Sequence, residues 1–123
     1  MITKEELEAK LEPYWAERPI WRHADIGPGW YQLVFDLVDD LAQIWPEFRI
    51  EQVKEKFGGL RFYPESYKAD YEGQPLSESK MYQLIAAAED KSYKTCETCG
   101  APGEERGKGW IQTLCDKHVQ EKA

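Results

Sequence analysis

Cys96 and Cys99 stand in a C-x2-C pair, Cys115 and His118 in a C-x2-H pair, and fifteen residues separate the two. Three thiolates and one imidazole are donors that Zn2+ favours, and four of them complete its tetrahedron with no position left for water or substrate. The spacing therefore predicts one structural zinc ion. Gly100 follows the first pair, where a tight turn must bring backbone amides round the thiolates. Pro102-Gly103 and Gly107 to Gly109 supply turns, residues 110–114 can form a strand, and Asp116 to His118 suit the first turn of a short helix. Knuckle, hairpin and helix in that order describe a treble clef; a zinc ribbon, with both pairs on knuckles, is the alternative. The competing chemistry is a Cys96–Cys99 redox pair or idle thiols with Cys115 and His118 packed nearby.

Two further constellations could carry chemistry. Gly58-Gly59 lies between two strand-like runs, 50–56 and 61–63, and reads as the turn of a β-hairpin. That turn pairs Phe57 with Leu60, Lys56 with Arg61, Glu55 with Phe62 and Lys54 with Tyr63. Val53, Phe57, Leu60 and Phe62 then face the core. Lys54, Lys56, Arg61 and Tyr63 form a basic opposite face able to grip a phosphate or an acidic partner, unless it is ordinary solvated surface. Glu55 falls on the apolar side, where a carboxylate needs a partner such as an arginine or an indole N–H. Arg22, His23 and Asp25 offer an anion clamp, a base and an acid at close spacing, which a hydrolase or nuclease could use. A hydrogen-bonded loop anchor is the plainer account of that histidine.

These groups need a scaffold. Thr3 with Glu6 forms a capping box and Ile2 with Leu7 its hydrophobic staple, predicting a helix that Pro13 ends or bends. Residues 17–28 read as an ordered aromatic loop. From Trp30 to Trp45 the apolar residues recur at helical spacing until Pro46. Pro64 to Pro75 reads as a mobile surface connection. Ser77 can cap a further helix, with Leu76 and Met81 as staple and Met81, Leu84, Ile85 and Ala88 as its buried face. The fold class expected is α+β: helices packed on a hairpin-based antiparallel sheet. One domain spans 1–123, with a helical and hairpin part over 1–93 and a treble-clef-like zinc module over 94–123.

The chain has 123 residues, 41% of them hydrophobic, and a formal charge of −7, which excludes a disordered polyanion and disfavours general attraction to nucleic acid. From Lys91 onward six bases meet five acids, so the excess acid precedes the cysteines. No apolar run approaches a membrane span, the N-terminus reads unlike a signal peptide, and cysteine use suits a reducing compartment; a cytoplasmic location without membrane attachment is expected.

Gly29 to Tyr31, the QVKEKFGGLRFY run of 52–63, and CxxCGxPG...GW..TLC..H over Cys96 to His118 together resemble a family of small bacterial and phage proteins. The resemblance covers roughly residues 29–118, implies a phage or mobile-element accessory setting, and brings no activity with it. The expected role is a non-catalytic protein-binding module, a phage-derived inhibitor or modulator of a host defence machine whose partner is a host or phage protein. A nucleic-acid-binding regulator using the basic hairpin face, with Lys94, Arg106 and Lys108 beside the zinc, is the alternative. An enzyme built on His23 or Glu55 is the third.

Overall fold

The computed structural model describes residues 2–65 and 80–122. The expected Ser77 cap with Leu76, and the connection after Glu65, lie outside the described residues. The chain begins with α1 (Lys4–Leu11), capped reciprocally as Thr3 accepts from the Glu6 amide and Glu6 accepts from the Thr3 amide. Pro13 then tightens the chain into a 3-10 turn over Glu12–Tyr14. After β1 (Ala24–Asp25) and a second 3-10 turn, α2 (Tyr31–Ile44) buries Val34, Leu37, Val38 and Leu41 along one face. Its last turn closes at Trp45, one residue before Pro46, where the missing N–H and fixed φ forbid continuation.

β2 (Ile50–Lys56) and β3 (Gly59–Pro64) form the expected antiparallel hairpin, but in a different register. Lys56 pairs with Gly59, Glu55 with Leu60, Lys54 with Arg61, Val53 with Phe62 and Gln52 with Tyr63. The turn residues are Phe57 (φ 54°) and Gly58 (φ 83°), not Gly58-Gly59. A Cβ on Gly59 would lie 2.3 Å from the Tyr93 ring, so this glycine serves a close approach inside the strand and not the turn. Every cross-strand partner thus shifts by two residues, which leaves face membership unchanged because side chains alternate with period two. Val53, Leu60 and Phe62 do face the core. Phe57 does not: it is 62% exposed at the tip.

The sheet is mixed, correcting the antiparallel expectation. Its order is β1-β2-β3, with β1 parallel to β2 through Ala24 opposite Val53 and Asp25 opposite Lys54. The preceding loop already follows β2, since the Ala16 and Ile20 amides donate to the carbonyls of Ile50 and Glu51 at 2.8 and 3.0 Å. α3 (Lys80–Ser92) lies along the free edge of β3, and its side chains replace a fourth strand. The Leu60 amide donates to Ser92 Oγ at 2.8 Å and the Phe62 amide to a Glu89 carboxylate oxygen at 2.9 Å. Edge amides that would otherwise invite another chain are closed in this way.

One core joins α1, α2, α3 and the sheet, with Leu7, Trp30, Val34, Phe48, Val53 and Phe62 essentially inaccessible. β4 (Glu104–Arg106) and β5 (Gln112–Leu114) form a separate antiparallel hairpin, followed by α4 (Asp116–Lys122). Beyond α3, Cys96 and Leu114 are the buried hydrophobic residues among those described. No helix among the described residues is long and apolar enough to cross a membrane.

Candidate metal centre

The turn carrying Cys96 and Cys99 is fixed by its own backbone and by the start of α2. The Cys96 amide donates to the Ala101 carbonyl at 2.7 Å, and the Gly100 amide returns to the Cys96 carbonyl at 2.8 Å. From the other side, the Gly29 amide donates to the Glu97 carbonyl at 2.7 Å, and the Trp30 indole N–H to the Thr95 carbonyl at 2.8 Å. A Cβ on Gly29 would stand 2.0 Å from the Cys96 carbonyl oxygen and 2.5 Å from the Gly100 nitrogen. Only glycine lets the two backbones approach so closely.

The second ligand pair is delivered by β5. The Glu97 amide donates to the Thr113 carbonyl at 2.9 Å, which ties the cysteine turn to that strand. The Thr113 hydroxyl donates to the Gly58 carbonyl at 2.6 Å, which ties the same strand to the tip of the β2–β3 hairpin. Cys115 follows β5 directly, and His118 lies in the first turn of α4.

The ligand atoms of Cys96, Cys99, Cys115 and His118 all lie within 4.8 Å of one another. Cys99 Sγ and Cys115 Sγ are 3.7 Å apart, while His118 Nδ1 is 3.2 Å from Cys115 Sγ and 3.7 Å from Cys96 Sγ. Two sulfurs each about 2.3 Å from a tetrahedral centre stand about 3.8 Å apart, and sulfur and nitrogen donors about 3.6 Å apart. The two edges of 3.7 Å agree with those figures and the Cys115–His118 edge of 3.2 Å is shorter, while a sulfur pair at 3.7 Å is far outside disulfide length. These four residues could hold a metal ion.

Electrostatics favour a cation. Burial raises the Cys96 thiol, but the amides of Cys115, Cys99 and Thr98 and the Cys115 thiol outweigh it and hold Cys96 at about 6. The His118 amide is the main influence lowering Cys115. For Cys99 the Ala101 amide acts downward, yet burial and the neighbouring Cys115 and Cys96 sulfurs prevail and leave it raised. Amides aimed at sulfur prepare thiolates, while the crowded sulfurs resist ionising together. A divalent cation removes that conflict.

The other predicted groups are dispersed. Lys54 and Arg61 face one another across the hairpin, and the expected Lys54–Tyr63 and Lys56–Arg61 pairs are not formed. Arg61 donates to the Tyr93 hydroxyl at 3.0 Å, the main influence raising its pKa, and to the Leu60 carbonyl at 3.2 Å; Lys56 lies over the Phe57 ring. Tyr63 is 40% exposed, opposite Gln52. Glu55 accepts from the Gly58 amide at 2.9 Å, so its partner is the turn backbone and neither an arginine nor an indole. Arg22 reaches toward Glu12 at 3.9 Å, His23 stacks on Trp21, and Asp25 neighbours Lys54.

Sequence reasoning missed Gly29, Trp30 and Thr113 as supports of the cysteine turn. Gly29-Trp30 was visible as a helix-start pair, but its role depends on contacts across more than sixty residues. It also missed Glu97, whose carboxylate accepts from the Gly27 amide at 2.9 Å and is pushed up chiefly by burial, with Glu55 and Asp25 adding repulsion. No protein-family model, curated protein or solved structure matches the chain.

Proposed function

We propose that this protein is a non-catalytic protein-binding module whose C-terminal part is stiffened by one structural zinc ion. Cys96, Cys99, Cys115 and His118 would hold the ion in a treble-clef arrangement, with the cysteine turn, the β4–β5 hairpin and α4 following in that order. The observation that carries the reading is the closed donor set. Four protein donors within 4.8 Å of one another would fill the tetrahedron of a zinc ion and leave no coordination position for a substrate, so the metal would serve shape. The partner is a protein with a basic surface. Glu5, Glu6, Glu12, Asp36 and Asp40 are exposed on α1, its flanking turn and α2, and the chain carries −7 overall.

The resemblance drawn from the sequence implies a phage or mobile-element setting for such a module, and its acidic helical half would suit it to inhibit or modulate a host machine by meeting a basic surface. The nucleic-acid reading has less behind it. Arg61 is engaged by Tyr93, and Lys54 stands opposite the acidic Asp25 in the sheet register, which offsets its charge. Affinity capture from bacterial lysate with zinc-loaded protein tests the reading. A protein retained after nuclease treatment and released by raised salt is expected. Retention that disappears with nuclease would move the assignment to nucleic acid.

A further inference from the structure

Two surface depressions of about 300 and 160 Å³ lie end to end, both bordered by Leu33, Asp36 and Lys91. The smaller lies between α2 and α3, lined by Leu37, Leu84, Ala87 and Ala88 with Asp40 at its rim. The larger continues past Gln32 to Thr95, Cys99 and Gly100, at the cysteine turn. We infer that this continuous groove is the docking site for a basic amphipathic helix of the partner protein. The inference rests on the protein-binding reading and names the surface and the partner's chemistry.

Shape and charge both select that occupant. From Gln32 to Asp40 the α2 wall is about 12 Å long at 1.5 Å per residue, roughly two helical turns, and the depression beside Cys99 extends it. Leu33 and Leu37, and likewise Leu84 and Ala88, are spaced four residues apart, so each helix presents an aligned apolar row. Alanines at 87 and 88 leave room for a third helix to approach α3 closely. A helix with apolar residues at i, i+4 and i+7 would seat them between these rows.

Along the rim, Asp36 accepts from Gln32 at 2.8 Å, and Asp40 makes no ion pair among the described residues. Lys91 is the opposing charge among the lining residues of both depressions, so the α2 wall is acidic and the α3 wall is apolar with a single base at its end. Bases on the flank facing α2 would be attracted; acids there would be repelled. On the outer face of the β2–β3 hairpin, Arg61 is engaged by Tyr93 and Lys56 by the Phe57 ring.

The test uses full-length zinc-loaded protein and a fluorescently labelled 18-residue helical peptide with leucines at i, i+4 and i+7 and lysines on the flank that faces α2. A glutamate-flanked peptide of the same apolar pattern is the control. The lysine peptide should bind and the glutamate peptide should not. Asp36→Lys combined with Asp40→Lys should weaken binding by about 10-fold or more, and Ala87→Trp, at an exposed position that fills the groove without changing charge, should do the same. Lys54→Glu with Arg61→Glu should leave affinity within about two-fold. Circular dichroism of each variant checks that the fold is retained. Equal binding of both peptides, or affinity unaffected by the groove variants, overturns the groove. If the protein captured from lysate is held equally well by the Asp36/Asp40 variant, the groove fails while the binding-module reading stands; if nothing is captured and neither peptide binds, both fail.

Discussion

The region from Leu7 to Ile85 buries sixteen hydrophobic residues in one cluster, whereas the segment after α3 buries only Cys96 and Leu114 among its described hydrophobic residues. The first region is large enough to be ordered by apolar burial. The second cannot be, because ordering each residue costs about 1–2 kcal/mol of backbone entropy and two buried side chains offset only a fraction of that. On the proposed reading its order comes from a metal ion held by the Cys96, Cys99, Cys115 and His118 cluster and from hydrogen bonds to the larger region. Each part therefore has its own failure mode. Substitutions in the helical core should weaken everything, and substitutions at the ligands should act locally. Substitutions at the seam should report how firmly the two are joined.

Removing a ligand gives the largest expected effect. Cys115→Ser leaves three donors, so metal analysis should fall from about one zinc per chain to nearly none, with order lost after Lys94 and retained in α2 and β2. Gly29→Ala acts on the seam. The added methyl would collide with the backbone of Cys96 and Gly100, which cannot rotate away, and urea unfolding should register a loss of about 3 kcal/mol. Near-normal stability for that variant would mean the cysteine turn sits off the start of α2.

Thr113→Val probes the same seam more gently. It keeps the side-chain shape but removes the hydroxyl that donates to the Gly58 carbonyl, at a cost of about 1–3 kcal/mol for the unpaired acceptor. The smallest effect is a gain. Phe57 occupies left-handed backbone while its ring is largely exposed, so Phe57→Asn should raise stability by up to about 1 kcal/mol in a thermal melt. A loss there would show that the ring contributes packing at the hairpin tip.

Much of this was legible in local sequence because local forces decide it. The Thr3/Glu6 capping box, the amphipathic run of α2 and the stop before Pro46 involve residues within a turn or two of one another. The clustering of Cys96, Cys99, Cys115 and His118 was legible because their two pairs have the spacing that tetrahedral coordination of a metal would need. The hairpin shows the boundary. Its faces were readable from alternation, but the turn position was not, because Tyr93 packing over Gly59 decides it from more than thirty residues away. β1 was illegible for another reason. Two residues carry no periodicity, and its pairing with β2 depends on a loop that follows that strand from Ala16 onward.

The most direct test of the claim that metal, and not apolar burial, orders the C-terminal region is amide hydrogen exchange on zinc-loaded protein before and after verified removal of the metal by a chelator. Protection should be lost at residues 95–119 and at the Gly29 amide that donates to Glu97, while Val38, Leu41 and Val53 in the core exchange as slowly as before. Unchanged protection at residues 95–119 in metal-free protein, or a loss spread evenly over the whole chain, would contradict it.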